Sequence, residues 1–314
     1  MRWAFVFLCL LFGLLPSAVA GAVWIDTDPS IGPPWREVDD AFALVLAFHS
    51  PETRVAGIST TYGNASSART NAVARNLVRR FGAIAGLTER DVHSGARAAR
   101  DINARTAASH ALARTLRQKR VTYVALGPLT NLAAFLYLHP ELAGRIERVI
   151  LVGGRSPGER LTFGPKGSLR IHDANVFKDP AAARQVLVSK IPIVLAPVET
   201  SRQLAFNGED LRAIRAGRAG QYLHARTRVW DWFWTKFVRE KGGPLFDVLA
   251  ILPAVRPDSV VTEERCASFN EGGDLIARRA ATCAGRRVKF AVGIRAGTKQ
   301  FVLERLGRGG GNGL

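Results

Sequence analysis

Cysteine is scarce in this chain: three residues in 314, Cys9, Cys266 and Cys283. No histidine accompanies Cys266 or Cys283, and their spacing does not suit zinc, which excludes a zinc-ribbon or zinc-finger fold. An exported chain could join these two cysteines or keep them as free thiols. Acidic residues are outnumbered, 26 against 44 Lys and Arg, giving a formal net charge of +18. Yet no dense basic block with interleaved aromatics is present. Pairs such as Arg79-Arg80, Arg278-Arg279 and Arg286-Arg287 are dispersed. They read as solvating charge, and no nucleic-acid partner is expected; the competing reading is a basic surface that binds polyanions. Beyond Leu15 no stretch is long and apolar enough to span a membrane, and neither an internal repeat nor a separate second domain is evident.

The N-terminus has a leader pattern. Met1-Arg2 is followed by an apolar run, Trp3 to Leu15, and by the small-x-small end Ala18-Val-Ala20. This is the order of a secretory signal peptide cleaved after Ala20, and the apolar run is short for a membrane anchor. The expectation is an exported protein, periplasmic or secreted, without stable membrane insertion. Residues 21–306 are expected to form a single domain. Residues 307–314 form a Gly-rich tail expected to be disordered.

The remaining acids are clustered. Ala22 to Ile25 is an apolar run ending in Asp26-Thr-Asp28-Pro29. After a loop, Asp39-Asp40 opens the apolar segment Ala41 to Phe48. A buried strand that ends in acids and turns into a helix places those acids at the crevice where α/β sheets bind ligands. Asp39 and Asp40 alone could be ordinary first-turn acids, favoured by the helix dipole. Asp26 and Asp28 need another reason. Four carboxylates this close repel one another unless a cation lies among them, and oxygen-only ligands favour a hard ion such as Ca²⁺ or Mg²⁺.

Strand and helix patterns then alternate. Arg54 to Thr61, Asp91 to Gly95, Val121 to Leu126, Arg148 to Gly154 and Ile191 to Val198 read as strands. Ala68 to Phe81, Thr106 to Gln118 and the segment after Gly127-Pro128 read as helices. A long helical region is expected up to Lys241, carrying Trp230 and Trp234 four residues apart on one face. The C-terminal stretches Ser259 to Val261 and Val288 to Val292, with a helix near Lys299 to Leu306, read as additions to the sheet. The fold class expected is α/β: a mostly parallel central sheet with helices on both sides.

Four segments, in order, resemble the inosine–uridine-preferring nucleoside hydrolases. They are Asp26-Thr-Asp28-Pro29 with Asp39-Asp40-Ala41, Ser59-Thr-Thr-Tyr-Gly-Asn64, Gly127-Pro-Leu-Thr-Asn-Leu-Ala133, and His172-Asp-Ala-Asn-Val-Phe-Lys-Asp-Pro-Ala-Ala182. A fifth, Phe246-Asp247 before an apolar helix, matches the family's His-Asp. The resemblance implies hydrolysis of the N-glycosidic bond of a small-molecule ribonucleoside to ribose and free base. It implies Ca²⁺ held by Asp28, Asp40, Asp247 and the Leu126 backbone carbonyl, and a water activated by Ca²⁺ and deprotonated by Asp28. Asp39, Asn64, Asp173 and Asn175 would bind the ribose, with Asp26 supporting the acidic network. Trp230 and Trp234 are either core residues or a stacking wall for the base. A homo-oligomer is left open.

Three departures stand out. Ser30 replaces the family's glycine and residues 31–37 lengthen the loop. Asp173 is a shorter acid than the usual Glu. Phe246 replaces a His that could protonate the leaving base, so an activated riboside should be cleaved faster than inosine or uridine unless Tyr62, His172 or another group supplies the proton. The alternative function is a non-catalytic nucleoside- or sugar-binding protein on a hydrolase-like fold, which would keep the metal and ribose ligands but show no turnover.

Overall fold

The computed structural model describes residues 21–308. The leader, with Cys9, and residues 309–314 of the Gly-rich tail lie outside the described residues. The strands are β1 (Gly21–Thr27), β2 (Thr53–Thr60), β3 (Val92–Ser94), β4 (Val121–Ala125), β5 (Ile146–Val152), β6 (Thr162–Phe163), β7 (Leu169–Arg170), β8 (Ile193–Ala196), β9 (Ala205–Phe206), β10 (Gly243–Pro244), β11 (Val260–Phe269), β12 (Leu275–Arg278) and β13 (Arg286–Ile294). Nine of them form one sheet in the order β12-β11-β13-β8-β5-β4-β1-β2-β3. From β13 to β3 every pairing is parallel, and β11 and β12 complete the other edge antiparallel. The mostly parallel sheet expected from the alternating pattern is what forms.

The first crossover helices are α1 (Asp39–Phe48), α2 (Ser67–Phe81), α3 (Ala107–Gln118), α4 (Thr130–Leu138), α5 (Ala174–Lys178) and α6 (Pro180–Val188). They explain why the central strands are apolar without alternation: both faces are covered. Val23, Ile25, Val124, Ile150 and Val194 face a core built with α1 and the helix Phe246–Val255. Trp24, Tyr123, Val149, Leu151 and Leu195 face a second core built with α3, α4 and α6. Every residue of α1 is buried, so truncating its Leu44 to Ala should cost about 2–5 kcal/mol.

Helix starts follow local chemistry. Thr106 caps α3, accepting from the Ser109 N–H at 3.1 Å while its own N–H donates to Ser109 Oγ at 3.0 Å. Asp179 caps α6 through the Ala182 N–H at 2.9 Å, with Pro180 at the first position.

The long helical region expected up to Lys241 is built from short pieces, Val198–Ser201, Gly208–Ala213, Arg218–Arg226 and Arg228–Trp232, followed by a π-helical turn at Phe233–Phe237. Asn207 starts one piece by accepting two backbone N–H bonds. Gly217 starts the next, where a Cβ would collide with the backbone at Arg308. In the π-helical turn the Val238 N–H reaches Phe233 O, five residues back.

Cys266 and Cys283 form a disulfide with Cα atoms 5.4 Å apart, tying β11 to the segment before β13. Among the described residues, no helix is long and apolar enough to cross a membrane.

Candidate active site

The C-terminal ends of β1, β4 and β5 open onto a cleft of about 370 Å³. Its floor is acidic. Asp28 follows β1, Asp39 and Asp40 begin α1, and Asp247 begins the helix Phe246–Val255. All four carboxylates are buried. Oxygen atoms of Asp39, Asp40 and Asp247 lie within 4.8 Å of one another.

Backbone donors fix these acids. Asp40 Oδ1 accepts from the Asp28 N–H at 3.0 Å and from the Thr27 hydroxyl. Asp39 Oδ2 accepts from the Asp247 N–H at 3.0 Å. Asp28 Oδ2 accepts from the Asn64 N–H at 2.6 Å. Gly63 permits that last contact: its φ is +148°, and a Cβ there would lie 2.0 Å from Asp28 Oδ2.

Burial raises the pKa of Asp28, Asp39, Asp40 and Asp247, and mutual repulsion raises Asp28, Asp39 and Asp247 further. Such a set holds protons or a cation. The donors are all oxygen, no basic side chain forms an ion pair with any of the four among the described residues, and Leu126 lines the same cleft. This set fits a hard divalent ion.

The other expected residues sit around this floor. Asn175 is buried on α5, and its amide donates to Leu126 O at 2.8 Å and to Val152 O at 3.3 Å. Asp173 lines the cleft and accepts from the Gly154 N–H at 2.6 Å, and burial lifts its pKa to about 6. Asn64 lines the cleft while its amide donates to Glu37 O at 2.8 Å.

Asp26 lies behind the cleft. It accepts from Ser59 Oγ at 2.6 Å and Asn131 Nδ2 at 2.7 Å, so it braces β1 against β2 and α4. Burial raises its pKa to about 6. Asn131 also accepts from the Ala96 N–H at 2.7 Å, which gives the polar side chain in Gly-Pro-Leu-Thr-Asn a structural purpose.

The two tryptophans separate. Trp234 forms part of the cleft wall, edge-on to Phe246 at 6.4 Å between centroids. Trp230 is buried behind the wall, and its indole N–H donates to Glu37 Oε2 at 2.7 Å. It holds the lengthened loop rather than facing the cleft.

Glu37 and Lys178 were not among the residues expected, yet both line the cleft. Burial raises the Glu37 pKa to about 7, against the opposing hydrogen bond from Trp230. The sequence signal for Glu37 was an acid two residues before Asp39, inside the inserted loop. For Lys178 it was a cation on the four-residue spacing from Ala174, which also lines the cleft.

Residues 23–298 match the profile of the family described as inosine-uridine preferring nucleoside hydrolase. The chain belongs to that family. It is 30% identical over 259 residues to the pyrimidine-specific ribonucleoside hydrolase RihA of Escherichia coli O1:K1, covering 72% of this chain and 79% of the relative. A plant nucleoside hydrolase superposes with a TM-score of 0.75 at 24% identity, over 91% of this chain and 99% of that one. The purine-preferring ribonucleoside hydrolase from Gardnerella vaginalis gives 0.73 at 22% identity, over 91% and 98%. These two likenesses establish a shared fold. Membership of the family accounts for the order of the motifs, and the acids they carry meet at the cleft floor.

Proposed function

We propose that this chain hydrolyses the N-glycosidic bond of ribonucleosides, giving ribose and free base, with Ca²⁺ as cofactor. The observation that carries the reading is the convergence of Asp39, Asp40 and Asp247 beside Asp28, at the floor of a cleft walled by Trp234 and Phe246. Asp40 and Asp247, both expected as ligands, are available to the ion together with Asp39, which was expected on the ribose; Asp28, also expected as a ligand, adjoins them, and the Leu126 carbonyl accepts from the Asn175 amide. When bound, Ca²⁺ supplies a Lewis acid that polarises the attacking water and engages the sugar hydroxyls.

The remaining work falls to the chain. Asp28, oriented by the Asn64 N–H, takes the proton of the water that attacks C1′. Asp173, Asn175 and Asn64 hydrogen-bond the ribose and hold it in line with the attack. Trp234 and Phe246 exclude water and pack against the base.

The relatives' names differ in the base they specify: pyrimidine for RihA, purine for the Gardnerella enzyme. The decisive assay is therefore a panel of purine and pyrimidine ribonucleosides, read by release of reducing sugar with and without a chelator. Chelator-sensitive release from at least one nucleoside is expected. Tight nucleoside binding with no release would instead indicate a binding protein.

The enzyme is further proposed to act outside the cytoplasm. The leader pattern of residues 1–20 supports this, and a Cys266–Cys283 disulfide suits an oxidising compartment.

A further inference from the structure

Large apolar side chains exposed singly are ordinary on a protein surface, but here several of them touch. Trp35 is 69% exposed, Phe237 63%, Trp232 50% and Val229 43%. Trp35 meets Phe233 edge-on at 5.9 Å between centroids, Phe233 stacks on Phe237 at 5.5 Å, and Phe237 lies 6.4 Å from Trp232. Val229 and Trp232 line one surface groove with Gly32 of the lengthened loop. The loop and the segment Arg228 to Phe237 therefore share one apolar face. Phe233 also packs edge-on against Trp234 at 5.5 Å, which places this face beside the cleft wall. Trp35 has a backbone φ of +61°, a left-handed conformation that a bulky residue seldom adopts. The loop thus presents a tryptophan to solvent at a position that glycine or asparagine would occupy more easily.

The charge around this face has one sign. Arg226 and Arg228 line the groove with Val229 and Trp232, Arg36 follows Trp35, and Lys236 precedes Phe237. All of these cations are exposed, and none forms an ion pair among the described residues. The acids of the same two segments are turned inward. Glu37 accepts from the Trp230 indole N–H at 2.7 Å, Glu240 accepts from the Gly164 N–H at 2.6 Å, and Asp231 has its Oδ1 buried. Touching aromatic rings rimmed by Arg and Lys suit the boundary between the acyl chains and the headgroups of an anionic bilayer. Two other occupants suit the face less well. A second copy docked about a twofold axis would set the same cations against themselves. A single-stranded nucleic acid stacks its bases on open ring faces, and here Phe233 and Phe237 cover each other.

We propose that the face formed by Trp35, Val229, Trp232, Phe233 and Phe237 docks this chain on an anionic lipid surface. The rings enter the headgroup layer, the surrounding Arg and Lys side chains meet the lipid phosphates, and the contact is peripheral, with no segment crossing the bilayer.

The test is cosedimentation with vesicles of phosphatidylglycerol mixed with phosphatidylcholine, against vesicles of phosphatidylcholine alone. It uses the chain from Gly21 onward, so that the apolar leader makes no contact of its own. Wild type should prefer the anionic vesicles by about 10²-fold and release them as salt is raised. Arg228→Gln combined with Lys236→Gln should weaken that binding by about fivefold for each cation removed. Trp232→Ser combined with Phe237→Ser should weaken it by about 10-fold or more. Circular dichroism and Tm should stay at wild-type values, because both side chains are already at least half exposed. Trp35→Asn, which suits the left-handed turn, should weaken binding without unfolding the loop. Absence of binding, equal binding to neutral and anionic vesicles, or wild-type binding by the Trp232/Phe237 double variant overturns the proposal. So does a dimer in sedimentation velocity that the aromatic substitutions dissociate, which would assign the face to a second copy. Binding of oligouridylate that the same substitutions abolish, with vesicles left unbound, would assign it to nucleic acid and overturn the proposal equally.

Discussion

The backbone N–H of Asp247 donates to Asp39 Oδ2 at 3.0 Å, joining residues 208 positions apart at the cleft floor. The bond is made by the Asp247 main chain, so it survives removal of the Asp247 side chain. Asp247→Ala should therefore keep the floor assembled while deleting one ion ligand. Loss of bound Ca²⁺ and of hydrolysis, with far-ultraviolet circular dichroism unchanged, is expected for Asp247→Ala and for Asp40→Ala. Metal analysis showing wild-type occupancy in both variants would count against the ligand assignment.

Asp28→Asn separates binding from chemistry. The amide keeps an oxygen in place but is a far weaker base, so kcat should fall by about 10²–10⁴-fold while much of the ribose binding remains. Steady-state kinetics and calorimetric titration with ribose read the two effects. Turnover near wild type would show that another group takes the water's proton.

Stability should couple Ca²⁺ to pH with a definite sign. Asp28, Asp39, Asp40 and Asp247 have folded pKa values raised by burial. Between the ordinary carboxylate range and those raised values, the folded state holds protons that the unfolded chain has lost. Without metal, the cluster therefore weakens the fold as pH rises through that window. Ca²⁺ replaces those protons and relieves the repulsion. The increase in Tm on adding Ca²⁺ should be larger near pH 8 than near pH 5. An equal increase at both would show that the ion binds elsewhere.

Export has its own signature. Protein made in a bacterium with a working export pathway should begin at Gly21, with Cys266 and Cys283 linked. Intact mass analysis decides this, and a retained Met1 would contradict it.

The acidic floor was legible because its chemistry is local. Asp28, Asp39 and Asp40 flank one strand–helix turn, and Gly63, next to Asn64, leaves room for Asp28. The strands were legible because both of their faces are buried, so Val121 to Ala125 and Ile193 to Ala196 have no polar face to confuse the pattern. What escaped depends on distant partners. Trp230 was open between a stacking residue and core; it is core, and what the sequence did not show is its indole N–H bond to Glu37, 193 residues away. The helical region expected up to Lys241 is divided at Asn207 and Gly217 and ends in a π-helical turn, a register that residue spacing does not encode. Lys178 carried only its spacing from Ala174, and its place in the cleft depends on where the fold sets α5.

The central claim is that one Ca²⁺ at the Asp39–Asp40–Asp247 floor switches on riboside hydrolysis. The most direct measurement strips the purified protein of metal and follows ribose release from its best nucleoside as Ca²⁺ is added back. Hydrolysis should be absent without the ion, rise with each addition, and reach its plateau at about one equivalent per chain. Full hydrolysis by the stripped protein, or a plateau that survives Asp40→Ala, would contradict the account.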